Sequence, residues 1–256
     1  METQKKPLFY RFVWETVRLF YPRWRISGTL PEAPSIVVGN HSQAHGPIFS
    51  ELYFPGKRYI WCAGQMMDAR QVPDYAYHDF WCDKPRWSQP FYRLLSYLIA
   101  PFAAEVMRSA DTIPVYRDTR IIHTFKQTVE RLRDGHHIII FPECRQGYNQ
   151  IVCRFQENFV DVAKLYYSRT GEELLFVPMY LAPSLRTAFF GTPIRYDHRA
   201  GAARERARIS RCMMEEITRM AVSLPEHTVV PYPNIPKKNY HTNFSNEVII
   251  HETAGG

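Results

Sequence analysis

Residues 35–41 read SIVVGNH, a short apolar and β-branched run that ends in Gly39-Asn40-His41. Such a run predicts a buried strand that opens onto a loop, because a strand covered on both faces is apolar throughout. Similar runs predict further strands at 58–63, 112–116, 137–141 and 174–181. Helical patterns lie between or after these runs, at 91–107, 119–133, 155–170 and 202–223.

Strands that alternate with helices predict an α/β protein with a mainly parallel central sheet flanked by helices. Its length of 256 residues suits one domain, 1–256, with a core at about 35–223. The tail, about 224–256, is rich in proline, and we expect it to wrap the surface or fray. An N-terminal amphipathic helix at about 8–22 is expected to pack on the core, to enter lipid headgroups, or to do both.

The composition narrows the class of partner. An excess of 32 Lys+Arg over 25 Asp+Glu gives a formal charge of +7, which favours anionic partners. The basic residues do not alternate with aromatics as in nucleic-acid-binding segments, so we expect lipid or phosphate and no nucleic acid. Five scattered cysteines without a CxxC pair indicate neither a disulfide framework nor a zinc site, and favour a reducing cytoplasmic compartment.

No segment of the sequence predicts passage through a bilayer. Arg11, Glu15 and Arg18 interrupt the first apolar stretch, which argues against a signal peptide. Elsewhere no run reaches the ~18 uninterrupted apolar residues of a spanning helix. We therefore expect a protein that is peripheral on the inner face of the membrane.

Polar groups that can carry chemistry follow several of the predicted strands. His41 comes directly after the first strand, where an imidazole can act as a general base on a bound hydroxyl. Arg117 follows the strand at 112–116, and Glu143 and Arg145 follow the strand at 137–141. Because the guanidinium fork matches phosphate oxygens, the two arginines are predicted to hold a phosphorylated acceptor in front of His41.

Four ordered motifs carry a resemblance to a known family. They are Gly39-Asn40-His41, Ile113–Arg117, Phe141-Pro142-Glu143 and Val177-Pro178. In this order, over roughly residues 35–220, they resemble the lysophosphatidic acid acyltransferase family, whose first motif is Asn-His followed by four residues and Asp. The resemblance implies a glycerolipid acyltransferase-like fold. It also implies transfer of a fatty acyl group to the hydroxyl of a lysophospholipid.

The same resemblance implies the role of each site residue. His41 is expected to be the general base, and Asn40, Arg117, Glu143 and Arg145 are expected to bind the substrate. The partners would be a lysophospholipid acceptor, an acyl-thioester donor and an anionic membrane surface. Acyl-CoA or acyl carrier protein would be the co-substrate, and no metal or prosthetic group is expected.

Two positions depart from the family pattern. Gly46 stands where the aspartate that orients the histidine is expected, and Cys144 stands where the third motif has glycine. Two other residues are candidates for the catalytic role of that aspartate. His45 would share a face with His41 if the loop turned helical at once, and Glu51 is the nearest carboxylate downstream.

Other functions remain open at this point. The chain could be a catalytically silent family member that binds lipid or acyl-thioester. It could also be a hydrolase with Cys144 as nucleophile and His41 as base. A metal site at His41 and His45, or at His136 and His137, lacks a third ligand at a plausible spacing.

Overall fold

The computed structural model describes residues 6–81 and 85–244, without the side chains of residues 79, 80 and 145–148. The chain divides into two compact units, Met1–Pro22 with Arg58–Thr128, and Arg23–Lys57 with Val129–Gly256. We call them the first and the second unit. The count of one domain therefore stays a prediction.

The strands are β1 Arg25–Ser27, β2 Ser35–Gly39, β3 Arg58–Ala63, β4 Thr112–Val115, β5 His137–Ile140, β6 Glu143–Tyr148, β7 Cys153–Phe155, β8 Leu175–Ala182, β9 Thr187–Phe190 and β10 Ile194–Arg195. The helices are α1 Leu8–Phe20, α2 His45–Leu52, α3 Val72–Ala76, α4 Gln89–Ser109, α5 Ile121–Arg133, α6 Val162–Thr170 and α7 Ala202–Val222. The strand runs and most of the helical patterns of the sequence are thus found where they were expected.

The second unit is built on a mainly parallel sheet. Its strands follow the order β1-β9-β8-β2-β5, in which β2 runs parallel to both β8 and β5. Strand β9 is antiparallel to β8 but parallel to β1, and β10 is antiparallel to β8. Every residue of β2 is buried, which explains its mostly apolar sequence. The predicted α/β class with a mainly parallel central sheet flanked by helices is confirmed.

Pro178 lies in a strand that is not at an edge of the sheet. A proline within a strand pattern suits an edge or functional position, but β8 lies between β2 and β9. On the side of β8 that does not pair with β2, the paired strand changes at this point. β10 pairs with β8 up to Phe176, and β9 pairs with it from Met179 onward, so the proline is tolerated. The missing N–H of Pro178 therefore falls between the two ladders.

One helical pattern begins later than predicted. The stretch 155–170 starts with a strand residue, because Phe155 pairs with Glu143 in the β6-β7 hairpin. A short 3-10 segment, Glu157–Asp161, follows, and the α-helix begins only at Val162. The hairpin matters for the site because it fixes the position of Glu143.

In the first unit, β3 and β4 form a parallel pair, and α1 packs on the long helix α4. The rings of Phe9 and Phe102 lie 5.7 Å apart between these two helices. Helix α1 ends at Phe20, two residues before the end predicted for it. Among the described residues, we find no helix that is both long enough and apolar enough to span a bilayer.

Candidate active site

The side chain of Asn40, the first residue after β2, holds the start of the loop that follows this strand. Its side-chain Oδ1 accepts the N–H of Leu181 at 2.7 Å, and its Nδ2 donates to the Leu181 carbonyl at 3.0 Å. Nδ2 also donates to the Ser42 hydroxyl at 2.7 Å. Asn40 is only 2% exposed, so its amide joins the carboxyl ends of β2 and β8. Its assignment to substrate binding stays a prediction.

The loop turns sharply before α2 begins. Ser42 and Gln43 both have left-handed backbone conformations, with φ of 45° and 55°. Two such residues in succession cannot belong to a right-handed helix, so the chain does not turn helical directly after His41. The condition under which His45 would share a helical face with His41 is therefore not met. His45 is instead the first residue of α2.

A buried carboxylate holds the backbone of His41. The N–H of His41 donates to Glu143 Oε2 at 2.6 Å, and the N–H of Cys153 donates to Glu143 Oε1 at 2.9 Å. Burial raises the pKa of Glu143 to about 7, although the two amide hydrogen bonds oppose the shift. Glu143 thus anchors the His41 loop, and its predicted contact with substrate remains untested.

Two aromatic rings flank the imidazole of His41. The ring centroid of Phe141 lies 5.2 Å away at an interplanar angle of 66°, and that of Tyr232 lies 5.7 Å away at 71°. Phe141 follows β5, whereas Tyr232 belongs to the segment after α7. Phe141 occurs in a predicted motif. Sequence reasoning missed Tyr232, because a tyrosine in a proline-rich tail gives no local signal of its partner.

His45 and Glu51 lie at opposite ends of α2. His45 is half-buried near Trp24, and the two ring centroids are 6.3 Å apart. Burial is the larger cause that lowers the pKa of His45, and the positive charge of Lys237 lowers it further. Glu51 lies six residues further on, which corresponds to about 9 Å along the helix axis. Helix α2 therefore carries Glu51 away from the loop. The catalytic roles of both residues stay predictions.

Gly46 occupies a position that leaves no room for a side chain. A Cβ atom at residue 46 would lie 2.5 Å from the backbone oxygen of His41 and 2.9 Å from Cε1 of Phe141. The N–H of Gly46 also donates to that same His41 oxygen at 3.0 Å. The departure from the family aspartate is therefore part of how this loop packs.

The two predicted phosphate-binding arginines are not brought into this cluster by the described contacts. Arg117 is an exposed residue of the first unit, two positions beyond the end of β4. Nearby, Arg120 is bonded to Asp118 at 2.7 Å and lies 4.0 Å over the ring of Tyr116. The side chain of Arg145 lies outside the described part of the structure.

A second polar cluster lies at the opposite, amino end of β2 and β8. It lines a cavity of about 770 Å³, in which Glu173, Asp197 and His198 present possible ligand atoms within 4.8 Å of one another. However, His198 Nδ1 is bonded to Glu173 at 2.7 Å, and its ring stacks on Tyr167 at 4.0 Å. These two contacts account for the arrangement without an ion.

The family comparison agrees with the motifs. A family model described as Acyltransferase matches residues 81–182. That segment contains Ile113–Arg117, Phe141-Pro142-Glu143 and Val177-Pro178, but it begins after Asn40-His41. The resemblance to acyltransferases is confirmed over residues 81–182, and this part of the chain is acyltransferase-like.

The fold is also similar to a solved crystal structure, that of the 1-acyl-sn-glycerophosphate (LPA) acyltransferase PlsC from Thermotoga maritima. The two share 14% sequence identity over 83% of this chain and 78% of that chain, with a TM-score of 0.46. A comparison with curated proteins found no significant match.

Proposed function

We propose that this protein transfers a fatty acyl group from acyl-CoA or acyl carrier protein to the hydroxyl of a lysophospholipid such as lysophosphatidic acid. His41 acts as the general base. It takes the hydroxyl proton as the hydroxyl oxygen attacks the thioester carbonyl carbon. The C–S bond then breaks, and the imidazolium returns the proton to the thiolate.

One observation carries this proposal: the hydrogen bond of 2.6 Å from the His41 N–H to the Glu143 carboxylate. It joins the first and third motifs at the carboxyl ends of β2 and β5, where ligands gather in parallel sheets. The Asn40 side chain also accepts the N–H of Leu181, which lies near the end of β8, three residues beyond Pro178 of the fourth motif. Motifs that are far apart in the chain thus support one loop that presents one histidine.

The test is a transfer assay with long-chain acyl-CoA and acyl carrier protein donors and a panel of lysophospholipids. We expect wild-type protein to transfer the acyl group and His41→Ala to abolish transfer while the fold is retained. His123→Ala, which removes an exposed histidine of α5, is the matched control and should leave the rate unchanged. A folded His41→Ala protein with full activity would exclude His41 as the base.

The alternative is a catalytically silent member that binds lipid or acyl-thioester. It is favoured by one observation, the tight packing of Gly46 where the family has its orienting aspartate. Binding of acyl-CoA without transfer to any acceptor of the panel would select this alternative. Equilibrium binding of a non-hydrolysable acyl-CoA analogue beside the transfer assay separates the two.

We also infer that the first unit contacts an anionic membrane surface through α1, α4 and the turn before α4. Most of the large apolar side chains that are exposed among the described residues lie on these elements. They include Leu8, Phe12, Leu19 and Phe20, and then Trp87, Phe91, Leu94, Leu98 and Phe102. Arg11, Arg18 and Arg93 lie on the same helices and suit acidic headgroups.

This inference is tested by sedimentation with vesicles that contain phosphatidylglycerol. Leu98→Glu should weaken vesicle binding, because it places a charge among the apolar side chains of α4. Ile122→Glu is the control, since Ile122 is similarly exposed but belongs to α5. Equal binding by wild-type protein and both variants would contradict a membrane role for α4.

A further inference from the structure

The chain beyond α7 folds back as a closed loop. The N–H of Val229 donates to the carbonyl of His241 at 2.9 Å, and Thr228 pairs with Thr242. Asn243, 2% exposed, accepts the N–H of His227 at 2.9 Å through Oδ1 and donates to the Ala221 carbonyl at 2.9 Å. Hydrogen bonds therefore join the two ends of residues 229–241 to each other and connect them to α7. We call residues 229–241 the return loop.

The return loop is fastened to the His41 loop. Gln43 Nε2 donates to the hydroxyl of Tyr240 at 2.8 Å and to the carbonyl of Pro233 at 3.4 Å. A further hydrogen bond joins the His241 ring to the carbonyl of Gln150. Tyr232 lies next to Pro233, so these bonds set where its ring meets the imidazole of His41.

A general base must present one nitrogen to the substrate in a fixed direction. In the resembling family an aspartate at the position of Gly46 orients the imidazole, but a side chain here would collide with the backbone of His41. The rings of Phe141 and Tyr232 meet the imidazole at steep angles of 66° and 71°. Aromatic contacts of this kind favour one ring orientation over others.

We propose that Tyr232 is a positioning residue for His41, and that the return loop completes the candidate active site by holding Tyr232 against the imidazole. The proposal rests on the proposed function, because it assigns an orienting group to the His41 base. It explains how a chain without the family aspartate keeps its histidine in a defined orientation. Phe141 supports the ring from β5, and Tyr232 supports it from the far end of the chain.

The test compares Tyr232→Leu with Tyr232→Phe and with Tyr167→Leu. Tyr167 is the matched control, because its ring also contacts a histidine, His198, but at the amino end of the sheet. We expect Tyr232→Leu to lower kcat roughly 2- to 13-fold, which is one aromatic pair of ~0.5–1.5 kcal/mol converted at 1.36 kcal/mol per tenfold. KM for the acceptor should stay unchanged, Tyr232→Phe should restore kcat, and Tyr167→Leu should have no effect on it.

Three outcomes overturn the proposal while the proposed function stands. The first is unchanged kcat in a Tyr232→Leu protein that melts like wild type. The second is a raised acceptor KM with unchanged kcat, because that would make Tyr232 a substrate contact. A loss of kcat that Tyr232→Phe does not restore would likewise show that the ring is not what acts on His41.

A failure of the proposed function is recognised separately, by wild-type protein that transfers no acyl group to any acceptor. The positioning contact is then read from the ring signals of ¹³C-labelled histidine, with His41 assigned through His41→Ala. Tyr232→Leu should replace the single His41 signal by a shifted and broadened one, and Tyr232→Phe should bring it back. An unaltered His41 signal in Tyr232→Leu would refute the contact itself.

Discussion

Restoring the family aspartate by Gly46→Asp is expected to damage this protein. The added Cβ would lie 2.5 Å from the backbone oxygen of His41 and 3.0 Å from Cζ of Phe141. Separations below 3.0 Å to a backbone atom require the backbone to shift, and that backbone carries the imidazole. Overpacking of this kind costs about 1–3 kcal/mol in the free energy of unfolding.

The assay is urea and thermal unfolding together with the transfer rate. A loss of about 1–3 kcal/mol corresponds to a fall of roughly 2–12 °C in melting temperature for a chain of this size. Gly46→Ala separates the steric effect from the charge, and we expect it to lose similar stability. Gly201→Ala is the control, since a Cβ there meets nothing within 4 Å and its φ of −64° suits alanine. Alanine is less favourable than glycine at this N-cap of α7, so Gly201→Ala should cost at most about 1 kcal/mol.

A Gly46→Asp protein that is as stable as wild type and transfers acyl groups much faster would refute this steric account. The loop would then be able to accept the family arrangement, and the natural chain would be an enzyme weakened by the loss of its aspartate. A stable but unaccelerated Gly46→Asp protein would contradict the steric part alone. Loss of both stability and rate in Gly46→Asp and Gly46→Ala would support the packing described above.

Two further predictions concern the residues that support or extend the site. The pKa of Glu143 is raised from 4.5 to about 7, so the folded protein keeps this proton to higher pH than the unfolded chain does. The free energy of unfolding should therefore fall by up to about 3 kcal/mol as the pH rises from 4.5 to 7. In urea titrations, Glu143→Gln should flatten this dependence on pH. An equal slope in both proteins would argue against a buried, titrating Glu143. Arg117→Ala should raise KM for a phosphorylated acceptor roughly 10- to 150-fold with little change in kcat, as expected for one lost charge-assisted hydrogen bond. Arg120→Ala is the control, because the Arg120 guanidinium is already bonded to Asp118. The phosphate-binding role would be excluded if the KM values for lysophosphatidic acid and for an uncharged monoacylglycerol were the same in Arg117→Ala as in wild type.

The buried Glu143 gives the third motif a physical meaning in this chain. Both of its carboxylate oxygens accept backbone N–H groups, one of which belongs to His41. The hydrogen bond from His41 holds a loop that has left-handed residues at Ser42 and Gln43. Its conservative replacement by glutamine would turn an amide NH₂ toward one of those N–H groups, which leaves a buried donor unsatisfied.

Local sequence determined the elements and the identity of the candidate base. Apolar runs indicated β2, β5 and β8, because a strand buried on both faces is apolar at nearly every position. The ordered motifs identified His41 and Glu143 without any knowledge of their contacts. The predicted helix at 155–170 was wrong at its start, because the pairing of Phe155 with Glu143 across the hairpin outweighed the local helical pattern.

Only the tertiary structure decided what surrounds the imidazole. The hydrogen bond from His41 to Glu143 depends on β5 lying beside β2, and the Tyr232 contact depends on where the chain returns after α7. Likewise, the sequence reports Gly46 as a missing aspartate, whereas the packing shows a position closed by the His41 carbonyl. The physical reason is that helical and strand propensities act between near neighbours. Contacts between distant residues are fixed by sheet register and by the close packing of side chains.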